Sequence, residues 1–296
     1  MCQVITSATD PRDGVLIGGS DPTNTNNLLS TMVFIFNFLP NLFNSNNDVI
    51  TGSQGTDYVF DFYGNNTIST SSGSDLIYTG SGNDSIDAGA DNDIVSSGSG
   101  NDFVNAGSGN DLVYAGSGND SILAGDGNDT VYGGDGNDFI NSGKGDDKIY
   151  GGKGDDRITA GWNSSGSNVF HGEGGNDSLT GGAGGDRLNG GAGNDRLEGL
   201  SGKNHYFGGE GADQFILGAG GHHIVEDYDY TQGDKVLFGA DNYKSQVVDN
   251  LGVEYMSATS FKFTVDIDGS NTRGEIHAAN ASSMFALANG FLDTLW

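Results

Sequence analysis

The sequence predicts an all-β solenoid, and three observations carry that prediction. Asp recurs every nine residues without a miss, at Asp75, Asp84, Asp93, Asp102, Asp111, Asp120, Asp129, Asp138, Asp147 and Asp156. A branched aliphatic residue follows two positions after each, from Ile77 and Ile86 through Val95, Val104 and Val113 to Ile149 and Ile158. Glycine stands five residues after every one of these Asp residues, from Gly80 to Gly161, and two residues before nearly all of them. A fixed short period is the mark of a repeat architecture in which each unit buries its apolar face against its neighbours.

The clearest unit reads Gly133-Gly134-Asp135-Gly136-Asn137-Asp138-Phe139-Ile140-Asn141. Its glycines allow positive φ, so the chain turns tightly with carbonyl oxygens directed inward. Its Asp adds a hard carboxylate, and carboxylates with backbone carbonyls form the ligand set of Ca²⁺; Mg²⁺ needs a tighter octahedron and keeps its water. The three residues after Asp predict a short strand whose middle residue points in and whose neighbours point out. One unit is a turn plus a strand, and two units close a flat 18-residue coil. Asp residues 18 apart then stack at about 4.8 Å, the spacing of neighbouring strands. A cation between successive coils relieves the repulsion of the stacked carboxylates. A disordered Gly/Asp/Asn tract would leave the aliphatic residue at every Asp+2 position unexplained.

The pattern resembles the RTX calcium-binding nonapeptide repeat, G-G-x-G-x-D-x-U-x. That resemblance implies a right-handed parallel β-roll, several bound Ca²⁺ ions and export by a type I secretion machinery. The metal-binding residues it implies are the ten Asp residues named above, with Asp177, Asp186 and Asp195, and the turn glycines Gly100, Gly109, Gly118, Gly127, Gly136, Gly145 and Gly154. The turns from Asp102 to Asp156 fit best, with Asp186 and Asp195 next. Departures are specific. The first glycine of the pair is Thr79, Ala88, Ser97, Ala106, Ala115 or Ala124 in the earlier units. Asp91 replaces the glycine before Asp93, which puts that turn in doubt as a site, and Asn66, Asn168, Asn204 and His222 remove the carboxylate from the grid.

Taken in order, residues 1–47 form an N-terminal cap. They hold the most apolar run, Leu28 to Phe43, which Asn37 and Pro40 interrupt; it is too short and too broken to span a membrane. No basic segment or cleavage site marks a secretory signal peptide. Residues 48–224 form the β-roll. Asp48, Asp57 and Asn66 already lie on the nine-residue grid, with sparse glycine. After Asp156 the next unit begins at Asn168, twelve residues on, so three extra residues bulge one turn. The grid resumes through Asp177, Asp186, Asp195, Asn204, Asp213 and His222, with larger inward residues such as Phe170, Tyr206, Phe215 and Ile224. Residues 225–296 form a β-rich C-terminal cap with a turn at Gln232-Gly233-Asp234, a strand at Phe261 to Ile267, a closing helix from Ser282 through Leu292, and an Asp293-Thr294-Leu295-Trp296 end that resembles a type I secretion signal.

Charge narrows the function. The 296 residues carry a net charge of −28, and between Asp13 and Gly143 there are seventeen Asp and no Lys or Arg. Such a surface repels nucleic acid and anionic membrane. The single cysteine, Cys2, excludes an internal disulfide. There is no HExxH and no GxSxG, and the residues before the array are too few for a catalytic domain, so the reading is not an enzyme. Outward positions on the Asp75 side form a largely aromatic and aliphatic ladder, Tyr58/Phe60, Leu76/Tyr78, Ile94/Ser96, Leu112/Tyr114, Thr130/Tyr132 and Lys148/Tyr150. A contiguous outward apolar strip marks an interaction surface. The expectation is a secreted, calcium-folded protein that associates with itself as a filament, layer or matrix at or beyond the cell surface. The alternatives are an ice-binding β-roll, suggested by the Asn array at Asn101, Asn110, Asn119, Asn128 and Asn137, and an adhesin-type roll.

Overall fold

In the computed structural model, residues 47–161, 164–218, 221–229, 231–238, 248–257, 260–267 and 270–278 are described, with two short strands at 16–17 and 34–36. Among them every regular element is a strand. The closing helix expected from Ser282 and the C-terminal signal lie outside the described residues, as does most of the Leu28 to Phe43 run. The chain divides into two units, Met1–Gly143 and Lys144–Trp296.

In the first unit, successive strands alternate between two parallel sheets. One sheet runs Phe34–Phe36, Tyr58–Phe60, Leu76–Tyr78, Ile94–Ser99, Leu112–Ser117 and Thr130–Asp135. The other runs Val49–Thr51, Thr67–Ser69, Ser85–Asp87, Phe103–Ser108 and Ser121–Asp126. From Val49 onward neighbours are 18 residues apart and in strict register: Leu112 lies beside Ile94 and Thr130, and Ser121 beside Phe103. Part of the apolar N-terminal run extends the first sheet, Phe34 pairing with Tyr58, and Leu16–Ile17 closes its outer edge antiparallel.

The strands differ from expectation in length. From Ile94 to Lys153 they run six residues, through the small residues that follow the outward pair. Ala-Gly-Ser has little strand propensity; its ladder bonds come from being stacked against the equivalent segment of the adjacent coil, as Gly107 and Ser108 lie beside Gly125 and Asp126.

The second unit repeats the coil. Its first sheet runs Lys148–Lys153, Val169–Gly174, Arg187–Ala192, Gly202–Glu210 and Gly221–Tyr228, then Ser270–Ala278, which hydrogen-bonds antiparallel to Ser260–Ile267 and that to Val248–Ser257. Its second runs Arg157–Thr159, Ser178–Thr180, Arg196–Glu198, Gln214–Leu217 and Lys235–Phe238. The three-residue insertion is confirmed by pairing at 21 residues, Lys148 with Val169 and Arg157 with Ser178. The strand at Phe261 and the turn before Asp234 stand where the sequence puts them.

The register departs from the nine-residue grid after Phe215. Asn204 pairs with His223 and Tyr206 with Val225, so one more residue than the nine-residue grid allows precedes this strand. His223 and Val225 are fully buried, not His222. The roll also continues past residue 224: Lys235–Phe238 stacks on Gln214–Leu217, putting Asp234 on the grid 21 residues after Asp213.

The inward columns build the core. Val59, Ile77, Ile86, Val95, Val104, Val113, Ile122, Val131, Ile140, Ile149 and Ile158 are wholly buried, and so are Phe170, Leu179, Leu188, Leu197, Tyr206 and Phe215. Each contributes roughly 1.5–3 kcal/mol by leaving water.

Candidate metal centres in the turns

Every predicted Asp lies inside. The thirteen from Asp75 to Asp195 are between 0% and 3% exposed. Within each unit the two carboxylate oxygens have separate fates. Oδ1 reaches back one coil: the backbone N–H of Asp57, Asp75, Asp84, Asp93, Asp102 and Asp111 donates to Oδ1 of Asp75, Asp93, Asp102, Asp111, Asp120 and Asp129 respectively, at 2.7–2.8 Å. The same bond joins Asp156 to Asp177, Asp177 to Asp195 and Asp195 to Asp213. Oδ2 turns into its own turn. At Asp75, Asp84, Asp93, Asp102, Asp111, Asp120, Asp177, Asp195 and Asp213 it is buried with no hydrogen-bond partner.

A buried carboxylate oxygen without a partner is costly, and here the cost recurs along a column. Burial is the main cause of the resulting shifts. It pushes the carboxyls of Asp75, Asp102, Asp120 and Asp177 up to about 6, that of Asp195 to about 7 and that of Asp93 to about 8, with neighbouring carboxylates adding to each. Asp84, Asp111, Asp138, Asp186 and Asp213 move in the same direction for the same reason. Hydroxyls near the column do not relieve it. Thr70, Thr79 and Ser97 each have one proton and donate it to the carbonyls of Ala88, Ser97 and Ala115 at 2.7–3.0 Å.

Glycine is required twice in each turn. Gly100, Gly109, Gly118, Gly127, Gly136, Gly145 and Gly154 all have positive φ, from 122° to 149°. The carbonyls of Gly100, Gly109, Gly118, Gly145 and Gly154 also stand where a Cβ would have to go one coil later, as Gly100 does under Gly118 and Gly154 under Gly175. Asp91 adopts the same left-handed conformation, φ 77°, and its carbonyl stands under Gly109, so the Asp93 turn keeps its shape despite the substitution. The inward methyls of Ala88, Ala106, Ala115 and Ala124 are fully buried, so small residues do replace the first glycine.

Two turns satisfy themselves. Oδ2 of Asp57 accepts the N–H of Ser53 at 2.7 Å, and Oδ2 of Asp186 accepts that of Gly182 at 2.9 Å. Asp234, absent from the sequence-derived set, is likewise complete: its oxygens accept the N–H groups of Asp213 and Asp229. The adjacent Gly233-Asp234 pair was its only signal, hidden by the 21-residue interval.

The Asn that precedes Asp102, Asp111, Asp120, Asp129 and Asp138 has a use that composition alone did not reveal. Its Oδ1 accepts the N–H of the equivalent residue one coil later: Asn119 to Asn101, Asn128 to Asn110 and Asn137 to Asn119, all at 2.7 Å. These oxygens are spent on stacking the coils and run opposite to the Asp ladder.

Among the described residues no three His, Cys, Asp or Glu side chains converge as they would around a transition metal. The donors at a turn are oxygen atoms: one orphaned carboxylate oxygen and the carbonyls of a glycine turn. That set fits a hard cation with flexible coordination.

The RTX calcium-binding nonapeptide repeat matches the chain over residues 44–60, 60–95, 96–131, 132–164, 162–197 and 180–215. No curated protein matches it. Among solved structures, the chain is similar to the extracellular lipase LipA of Serratia marcescens, at 17% identity and a TM-score of 0.18, over 72% of this chain and 42% of the lipase. The chain thus spans less than half the length of that lipase. With the repeat matching most of its length, and its glycine turns and Asp column in register, the chain belongs to the RTX calcium-binding nonapeptide repeat family.

Proposed function

We propose that this is a secreted RTX protein, folded by extracellular calcium, that assembles with copies of itself into a cell-surface or matrix structure. The observation that carries the reading is the column of buried Oδ2 atoms that lack partners at Asp75, Asp84, Asp93, Asp102, Asp111, Asp120, Asp177 and Asp195. The carboxylates assigned to the metal are Asp75, Asp84, Asp93, Asp102, Asp111, Asp120, Asp129, Asp138, Asp147, Asp156, Asp177 and Asp195, with the turn carbonyls of Gly100, Gly109, Gly118, Gly127, Gly136, Gly145 and Gly154. Asp186 ranks below them because its Oδ2 already holds an amide proton.

Bound calcium supplies positive charge and replaces the hydration that burial strips from the carboxylates. The chain's own residues do the rest. At the very low calcium of a cytosol, the acidic segment 13–143 repels itself and the chain stays extended, suited to a type I secretion machinery. Outside, where modules of this kind bind at about 10⁻⁴ to 10⁻³ M, binding energy becomes folding energy. The glycine turns give the carbonyls their inward direction, and each formed coil presents the edge on which the next stacks.

The outward face supports self-association. In the first unit Phe60 stacks on Tyr78 (5.5 Å, 6° between planes) and Tyr114 on Tyr132 (4.9 Å, 5°), with Ile94, Tyr114 and Tyr132 exposed between 37% and 44%. Rings stacked along a sheet are held rigid, so a partner orders little on docking there. Sedimentation velocity with millimolar calcium tests the reading. Large assemblies that EDTA dissolves are expected, and Leu112→Lys on this face should leave a compact, calcium-loaded monomer. A wild-type protein that compacts with calcium yet stays monomeric at high concentration would refute the assembly.

A further inference from the structure

We propose that the turn from Gly199 to Asn204 is closed by an amide where the turns with an orphaned carboxylate oxygen use calcium, so that this turn, held by Tyr206 and His223, forms without metal. The inference rests on the calcium reading of the Asp turns. Asn204 occupies an Asp position and is fully buried. Its Oδ1 does what Asp Oδ1 does elsewhere, accepting the N–H of Asp186 at 2.8 Å. Its Nδ2 takes the place of the orphaned Oδ2 and donates to the carbonyls of Gly199 (3.0 Å) and Ser201 (3.2 Å). One neutral group thus ties together the turn carbonyls that a cation would otherwise gather, and no charge is buried.

A second network locks the same turn. The N–H of Gly199 donates to the Tyr206 hydroxyl at 3.1 Å, which donates to Nδ1 of His223 at 2.9 Å, and Nε2–H of His223 donates to the Gly218 carbonyl at 3.1 Å. These roles require a neutral imidazole, and burial pushes His223 down to about 4. Leu200 is held at φ 58° in this turn, a conformation costly for a residue with a side chain, so the closure is strong enough to impose it. Asn at an Asp position is not sufficient by itself. Asn168 Nδ2 is buried without a partner, and Asn66 Nδ2 reaches one carbonyl, that of Tyr63, at 3.4 Å. The full closure belongs to Asn204.

Hydrogen exchange read by mass spectrometry on the whole chain tests this. In EDTA, peptides covering 199–207 should exchange at least tenfold more slowly than those covering 102–138, and calcium should slow the latter alone. Asn204→Asp should abolish protection of 199–207 in EDTA, restore it in calcium and raise the calcium count by one. Tyr206→Phe should speed exchange of the segment in EDTA without adding a calcium. Equal exchange of 199–207 and 102–138 in EDTA, with both protected by calcium, would overturn the proposal while leaving the calcium reading intact. Full protection of both in EDTA would overturn the calcium reading and the proposal with it. An Asn204→Asp chain that binds no extra calcium would also overturn the proposal.

Discussion

Gly118→Ala isolates the demand that coil stacking places on the turns. Gly118 has φ 136°, and a Cβ there would lie 2.5 Å from the carbonyl carbon of Gly100 and 3.2 Å from the nitrogen of Asn101, with the Gly100 oxygen nearer still. The obstacle is backbone, so no side chain can swing aside. Relief requires the two coils to part by more than an ångström. The bonds at stake are Gly100 N–H to the Ser117 carbonyl and Gly118 N–H to the Asp135 carbonyl, both 2.8 Å. At about 1 kcal/mol net for each bond and about 1–3 kcal/mol for a side chain in that backbone region, the loss is about 3–5 kcal/mol. For a chain of this size that lowers the melting temperature by roughly 10 °C. Differential scanning calorimetry of the calcium-loaded protein reads it, with Ser117→Ala, exposed in the same turn, as a control expected within about 0.5 kcal/mol. A Gly118→Ala protein that melts with the control would refute the stacking argument.

Two further predictions concern the carboxylates. Asp102→Asn should act with opposite sign in the two states. Burial pushes the Asp102 carboxyl up to about 6, so at pH 7 its removal relieves the metal-free roll of about 3 kcal/mol, and circular dichroism in EDTA should show more β structure. The calcium-loaded protein loses a ligand, and isothermal titration should count fewer ions. Acid should partly replace calcium. A carboxyl whose folded-state value is raised stabilises the fold below its unfolded value, near 4, and that contribution disappears as pH rises through the folded value. In EDTA, β structure should therefore be greater at pH 5 than at pH 8.5 and fall between about 6 and 8, where Asp75, Asp102, Asp120, Asp177, Asp195 and Asp93 ionise. β content that instead rises with pH in EDTA would break the argument.

The repeat made most of the roll legible because its period, its chemistry and its stacking are one constraint. A residue two after each Asp must be apolar to face the core, and Ile77 through Ile158 are buried as that requires. The insertion after Gly161 was countable because Asp and aliphatic residues flank it on both sides. The extra residue before His223 was not, since a Gly-Ala-Gly-Gly stretch carries no inward or outward signal by which to count. Asp234 escaped for the same reason, with an irregular segment between it and Asp213. The length of the strands and the Asn ladder were illegible for a different reason. Both depend on contacts between coils, and neither Ala106-Gly107-Ser108 nor Asn101 states in sequence that an equivalent partner lies beside it.

The most direct test of the account is a calcium titration followed by far-ultraviolet circular dichroism, with magnesium in parallel. The account predicts little β structure in EDTA at pH 7.5, a cooperative rise between about 0.1 and 1 mM calcium, reversal by chelator and no comparable rise with magnesium. A full β spectrum in EDTA, or an equal response to magnesium, would contradict the claim that the buried Asp column waits for calcium.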